Sequence, residues 1–312
     1  MIVTVTLNPS LDEWVSLPRL TLGDLNRAGS FQRYPAGKGI NVSRVVHELG
    51  GSTLAVALAG GEDGTILGDL LNQQGIRHRF VTVNGTTRNN YQIHTERPTR
   101  LTQINCAGPR ITVKDLSRLE AALRRLRPHA SCVVCSGSLP PGAPSTTYRR
   151  LLRFLRARRM LTVLDASGHA LRQGLSAQPW LIKPNRSEAE ELLARRLRRL
   201  HDVGRAARQL LARGARVAIV SLGPAGAVLA AHALPGVWWA KSPRVKIDSS
   251  VGAGDSLVAG FLVGWVRTRS FHTALQLGVA CGAATAMTPG TELCHAADVK
   301  RLMRRVTIQA LG

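Results

Sequence analysis

Along most of this chain, short apolar runs take turns with stretches in which apolar residues return every three or four positions, the periods of strand and helix. Read by period, the sequence predicts strands over 2–7, 53–58, 132–135, 162–165, 180–183, 217–221 and 228–231. Helices are predicted over 41–49, 65–74, 113–126, 146–158, 187–199, 202–213, 255–267 and 271–287. Such alternation favours a mostly parallel sheet covered by helices on both faces. Residues 11–34 and 86–105 break the pattern, with Val15, Leu17, Phe31, Tyr34, Tyr91 and Ile93 as apolar points among polar ones. Structureless loops of about twenty residues are uncommon in compact domains. Short antiparallel strands standing off the main sheet are expected there instead, as a lid or pairing ribbon. The domain plan is therefore a main α/β body from 1–10, 35–85 and 106–312, and a lid from 11–34 and 86–105.

Composition changes this picture in two places. The net charge is +23, and only six of the 42 basic residues are lysine, leaving 36 arginines scattered through most of the predicted helices. Such a field attracts anions in general. Aromatic residues are only 4% of the chain, however, and do not alternate with the basic runs as a base-stacking surface requires. The arginines read as solvated helix faces, and nucleic-acid binding is not expected as the primary role. The five cysteines have no framework spacing, and Cys132 and Cys135 lie in one strand, where residues three apart face opposite ways. They read as buried thiols in a reducing cytoplasm. The start Met1-Ile2-Val3-Thr4-Val5-Thr6-Leu7 lacks a basic leader and reads as a buried strand, and no apolar run approaches a membrane span.

Candidate chemistry centres on Ser249-Ser250-Val251-Gly252-Ala253-Gly254-Asp255, between a strand-like run and the predicted helix at 255–267. A glycine turn opening a helix aims backbone N–H groups and the positive end of the helix dipole at one point, an anion site. Asp255 stands beside it, either as a helix cap or as a group acting on the anion. A second glycine turn, Ala36-Gly37-Lys38-Gly39-Ile40-Asn41-Val42, opens another helix; Lys38 there suits a phosphate and Asn41 suits sugar hydroxyls. It lacks the Gly-x-x-x-x-Gly-Lys pattern of a P-loop, and the third glycine of a dinucleotide fingerprint is replaced by Val42. Thr87-Arg88-Asn89 places an arginine in the lid, able to grip a phosphate through two parallel hydrogen bonds.

These motifs, in this order, resemble the ribokinase-like (pfkB) carbohydrate kinases, in particular the branch that phosphorylates sugar phosphates. Thr6-Leu7-Asn8-Pro9-Ser10-Leu11-Asp12, Ser136-Gly137-Ser138-Leu139-Pro140, Lys183-Pro184-Asn185-Arg186-Ser187-Glu188 and Ser221-Leu222-Gly223-Pro224-Ala225-Gly226 are similar to further family motifs, so the likeness runs from Thr6 to about Thr285. It implies a Rossmann-like αβα sandwich with a small β lid, paired in a homodimer across the lids. The implied reaction transfers the γ-phosphoryl of MgATP to a hydroxyl of a ketohexose phosphate. Asp255 would take the hydroxyl proton, while Gly252, Ala253 and Gly254 would stabilise the moving phosphoryl. Asp12, Gly37, Lys38, Gly39, Asn41, Arg88 and Ser138 would hold the sugar phosphate. Lys183, Asn185, Ser221, Gly223, Gly226 and Gly254 would hold ATP, Asn185 and Glu188 would organise the water shell of Mg²⁺, and 280–285 would wall the adenine. Ser249 stands where ribokinase has an Asp linked to potassium, so potassium dependence is not expected. A helix N-terminus should also lower the pKa of Asp255. By the same resemblance Lys38, together with Leu25-Asn26-Arg27 and Ile104-Asn105-Cys106-Ala107-Gly108-Pro109, favours fructose 1-phosphate as acceptor; tagatose 6-phosphate, fructose 6-phosphate and a basic nucleic-acid-contacting protein on a kinase fold are the alternatives.

Overall fold

The structure, a computed structural model, describes residues 1–126, 130 and 132–311. In chain order its elements begin with β1 (Ile2–Thr6), β2 (Ser10–Leu17), β3 (Ser30–Ala36), α1 (Lys38–Glu48), β4 (Thr53–Ala59), α2 (Gly61–Gln73) and β5 (His78–Thr82). Then follow β6 (Arg88–Glu96), β7 (Thr99–Asn105), α3 (Val113–Arg124), β8 (Cys132–Ser136), α4 (Thr147–Arg156), β9 (Leu161–Asp165) and α5 (Gly168–Leu175). The last are β10 (Leu181–Ile182), α6 (Arg186–Leu193), α7 (Leu200–Ala212), β11 (Val217–Ser221), β12 (Ala227–Ala231), β13 (Leu234–Lys241), α8 (Ala253–Thr268), α9 (Phe271–Thr285), α10 (Ala296–Met303) and β14 (Thr307–Leu311).

Ten strands form one sheet in the order β14-β13-β12-β11-β10-β9-β8-β1-β4-β5, parallel from β5 to β11 and antiparallel beyond. β1 is buried along its whole length, as a central strand covered on both faces must be. One apolar core lies under α3 to α7, and a second lies under α1, α8, α9 and α10. β8 divides its side chains between them, Val133 and Cys135 into the first and Cys132 and Val134 into the second. The cysteines therefore face opposite ways, as expected.

The two interrupting stretches form a separate four-stranded sheet, β3-β2-β6-β7. One feature differs from the antiparallel expectation: β2 and β6 run parallel, Ser10 beside Arg88 through Leu17 beside Thr95. Both leave the main sheet in the same direction, after β1 and after β5, so they can only pair that way. The pattern also did not anticipate β5, β13, β14, α5 and α10. α6 stops at Leu193, earlier than the expected helix over 187–199, because Ala194 turns into the left-handed region at φ 51°.

Candidate active site

The carboxyl ends of the parallel strands deliver Asp165 from β9, Lys183 just after β10 and Ser221 from β11 to one cleft of about 630 Å³, where open α/β sheets bind their ligands. The N-terminus of α8 closes one side of it. Gly252 caps that helix at φ 76°, a left-handed conformation that suits glycine, and a Cβ there would fall 2.6 Å from the Leu293 side chain. The first-turn N–H groups of a helix have no acceptor within it, and Gly252 and Gly254 set this turn at the edge of the cleft. Ala253 differs in part, since its N–H reaches the Ser250 carbonyl at 3.3 Å.

Asp255 is the third residue of α8, only 6% exposed, and accepts a 2.8 Å hydrogen bond from Asn41 Nδ2. Burial and then the carboxylate of Asp165 push its pKa up to about 7, against the opposing influence of Lys38, Asn41 and Lys183. The expected lowering by the helix terminus is thus corrected, because desolvation and a like charge outweigh a partial dipole charge. The consequence is chemical: a carboxylate near neutral pKa is a competent proton acceptor.

Asp165 was not among the residues picked out by pattern, yet it organises the cleft. Its Oδ1 lies 3.1 Å from Lys38 Nζ and 3.5 Å from Lys183 Nζ. Burial alone would raise its pKa, but the two ammonium groups hold it below the usual carboxylate value. Lys38 in turn is held protonated, chiefly by Asp165. The signal that could have found Asp165 is its place, a carboxylate at the carboxyl end of a predicted parallel strand.

Lys183, Asn185, Glu188, Ser221, Gly223 and Gly226 line the same cleft, so the expected nucleotide residues are brought together. A Cβ at Gly254 would come within 3.4 Å of Lys183 Nζ, so the bare glycine keeps room for that ammonium at the helix start. At Gly226 a Cβ would sit 1.9 Å from the Ala240 carbonyl oxygen, which ties the turn before β12 to glycine. Pro224, Pro243, Val245, Leu257 and Ala283 add apolar lining. Of 280–285 only Gly282 and Ala283 reach the cleft, while Ala280, Cys281 and Ala284 pack into the core. Asn185 and Glu188 form a reciprocal capping box at α6: Glu188 N–H donates to Asn185 Oδ1 and Asn185 N–H to Glu188 Oε2, each at 2.8 Å. Capping thus occupies half of each side chain, and Glu188 Oε1 takes no part in it. Among the described residues no group of three or more His, Cys, Asp or Glu side chains could hold a metal ion. So sparse a donor set, two side-chain oxygens already half used in capping, suits an ion such as Mg²⁺ that keeps most of its waters and accepts phosphate oxygens in place of protein ligands.

The expected acceptor residues divide. Asp12, 6% exposed, accepts from Ser10 Oγ at 3.1 Å and from Asn90 Nδ2 at 3.0 Å, and burial raises its pKa against those bonds and the nearby Arg88. Arg88 donates Nη1 to the Cys106 carbonyl and Nη2 to the Asn8 carbonyl, both at 3.1 Å, and its buried Nε is unpaired. Asn8 Nδ2 donates to Ser138 Oγ at 3.1 Å. These groups form one cluster under the lid. Gly37 and Gly39 let α1 press against β1: a Cβ at Gly37 would meet Thr6 Cγ2 at 3.0 Å, and one at Gly39 would meet Thr6 Oγ1 at 2.4 Å. Asn41 donates to Asp255 and Lys38 to Asp165, so both stand on the cleft side of this cluster.

The family model described as pfkB family carbohydrate kinase matches residues 5–297. The chain is 35% identical over 311 residues to the 1-phosphofructokinase of Bacillus subtilis, covering 100% of both chains. It is 36% identical over 302 residues to the ATP-dependent 6-phosphofructokinase isozyme 2 of Mycobacterium tuberculosis, over 96% of this chain and 88% of that one. The structure of phosphofructokinase-2 from Escherichia coli in complex with substrates and products superposes with a TM-score of 0.92 at 32% identity, over 97% of this chain and 98% of that chain.

Proposed function

The chain belongs to the pfkB family of carbohydrate kinases, and on that premise we propose that it phosphorylates fructose 1-phosphate to fructose 1,6-bisphosphate. Membership makes it a phosphotransferase with ATP as donor and a hydroxyl as acceptor. The observation that carries the mechanism is Asp255, buried in the first turn of α8, held by Asn41 and open to a cleft with two lysines. The acceptor oxygen forms its bond to the γ-phosphorus as the bond to the ADP oxygen breaks; the electron pair leaves with ADP and the hydroxyl proton passes to Asp255. The transition state is loose, so positioning and charge stabilisation dominate. The first turn of α8 supplies donors to the phosphoryl oxygens. Mg²⁺, when bound through water near Glu188 and Asn185, would screen the phosphate charges.

The choice of sugar rests on the full-length likeness to the Bacillus subtilis enzyme. The equal likeness to a 6-phosphofructokinase isozyme keeps fructose 6-phosphate as the second reading, with tagatose 6-phosphate beside it. Under either reading Arg88, with its unpaired Nε, and Asp12 receive the acceptor beneath the lid. Phe31, Tyr91 and Ile104 are exposed and share one face of the lid, since Phe31 pairs with Val15, and Tyr91 with both Glu13 and Ile104. A second copy of the chain covering that face is the natural partner. Among the described residues no helix is long and apolar enough to cross a membrane, and none of the five cysteines is in a disulfide, which fits the cytoplasm.

The test is ADP release from MgATP at equal concentrations of fructose 1-phosphate, fructose 6-phosphate, tagatose 6-phosphate and fructose. A preference of roughly ten-fold in kcat/KM for the first, about 1.4 kcal/mol of discrimination, is the expected result. A preference for fructose 6-phosphate moves the assignment to the second reading, and turnover of fructose alone overturns the sugar-phosphate reading.

A further inference from the structure

We propose that Lys38 is a catalytic cation for the phosphoryl being transferred, held in place with Lys183 by Asp165, and is not a ligand of the phosphate that the acceptor already carries. The inference deepens the kinase reading and rests on it. Lys38 and Lys183 share a single carboxylate oxygen, Asp165 Oδ1. Lys183 Nζ stands at the first turn of α8, 3.4 Å from where a Cβ on Gly254 would be. Two ammonium groups joined by one acceptor therefore stand together beside the donors that receive the moving phosphoryl. Both residues line the cleft with Gly252, Gly254 and Asp255, whereas neither Asp12, Arg88 nor Ser138 lines it.

The electrostatics point the same way. Lys38 and Lys183 both lower the pKa of Asp255, and all three line one cleft. An ammonium has three donors and no acceptor. Lys38 gives one hydrogen to Asp165 and keeps two for a ligand, and its side chain is 35% exposed where that of Lys183 is 5% exposed. Two lysines sharing one carboxylate oxygen keep ammonium hydrogens free next to a point where three phosphoryl oxygens gather negative charge. Asp165 acts through the lysines and is a positioning residue. Its Oδ2 is buried without a partner, consistent with a carboxylate fixed by charge on one oxygen alone.

One consequence concerns specificity. If Lys38 serves the transferred group, it carries no information on which carbon of the acceptor bears a phosphate, and Arg88 is left to read it.

The experiment compares wild type with Lys38→Met, Lys38→Arg and Asp165→Asn, each first checked for folding by its thermal transition. Binding of ADP with MgCl₂, with and without aluminium fluoride as a mimic of the moving phosphoryl, needs no acceptor and so is independent of which sugar is the substrate. Lys38→Met is expected to lose roughly 100-fold in affinity for the mimic complex while ADP affinity stays within about three-fold, and kcat is expected to fall about 10²–10³-fold, the effect of removing one charge-stabilising donor. The acceptor KM and the preference for phosphorylated over plain sugar stay unchanged, and Lys38→Arg recovers part of kcat. In Asp165→Asn the acidic limb of the kcat/KM profile moves to lower pH, because the like charge that raises the pKa of Asp255 is gone. Retained mimic affinity with a rise of 30-fold or more in acceptor KM overturns the proposal and returns Lys38 to the sugar's phosphate. Intact mimic binding across the variants with no turnover of any sugar by wild type also overturns it; full Lys38-dependent mimic binding with no sugar turned over sinks only the acceptor assignment.

Discussion

In the cleft, Asp165 is matched by charge and Asp255 by a neutral amide, both from far along the chain. Asp165 meets Lys38 from 127 residues earlier, and Asp255 is held by Asn41 across 214 residues. Under the lid, the hydrogen bonds of Asp12 and Arg88 all go to neutral groups. Asp12 takes its hydrogen bonds from Ser10 and Asn90, and Arg88 gives its own to two backbone carbonyls while its Nε stays unpaired. The difference teaches what each half is for. The cleft holds its two cations in place through Asp165 without any ligand. The lid cluster keeps unused capacity that an anionic acceptor would fill, and the outer face of the lid exposes Phe31, Tyr91 and Ile104.

The largest effect that could break this contrast is on the cleft side. Asp255→Asn removes the proton acceptor while keeping a side chain that can still bond Asn41, so nucleotide binding should persist. kcat is expected to fall about 10²–10⁴-fold, the range for general acid–base catalysis. Turnover within a few fold of wild type, measured with ATP saturating, would show that the carboxylate is a cap and not a base.

On the lid side, Arg88→Met should act through the acceptor alone. The acceptor KM is expected to rise roughly 10- to 100-fold, in line with the loss of charge-assisted hydrogen bonds, while KM for ATP stays put. Discrimination against plain fructose should fall by a similar factor. An unchanged acceptor KM would mean that the two carbonyl contacts are the whole role of this arginine.

A smaller change sharpens the comparison at the lid's outer face. Ile104→Lys sets a charge among Phe31 and Tyr91 and should weaken self-association, read as a concentration-dependent shift toward monomer in sedimentation. Unaltered association would move the contact between copies elsewhere.

How much of this was readable beforehand follows from how local each feature is. The turn at Gly252–Gly254 and the helix after it could be read because glycine, helix start and acid adjoin in sequence. The lid could be placed because its residues lose the helical period. Its parallel β2–β6 pair could not, since pairing depends on where β1 and β5 leave the main sheet. Asp165 passed as the end of a strand, because its meaning lies in lysines brought from α1 and from the end of β10. Lys38 could be seen as a phosphate-binding residue, but which phosphate depends on the same distant carboxylate. Asn185 and Glu188 were recognised by motif, and the capping box they form was the simpler local alternative. β13, with Pro235 and Gly236 inside it, carries the residues that normally argue against a strand.

The smallest effect concerns stability and isolates the cost of the preformed cleft. Asp255 has a pKa near 7 in the folded protein and an ordinary value of 3.8 when unfolded. Below 3.8 the group is protonated in both states and does not penalise the fold. As pH rises toward 7 the unfolded chain gives up the proton more readily, so this contribution to stability is lost, and above 7 the loss is complete. Asp255→Asn removes that titration. The variant should therefore gain on wild type as pH rises from 4 to 8, by roughly 1–4 kcal/mol at most, seen as a Tm difference of several degrees. Because the comparison is between two chains at each pH, the other titrating groups cancel to first order. A Tm difference that does not change with pH would show that Asp255 is ionised across the whole range, with Lys38 and Lys183 outweighing both its burial and Asp165, and the contrast between a charge-matched cleft and an unfinished lid would then have to be drawn without a neutral-range base.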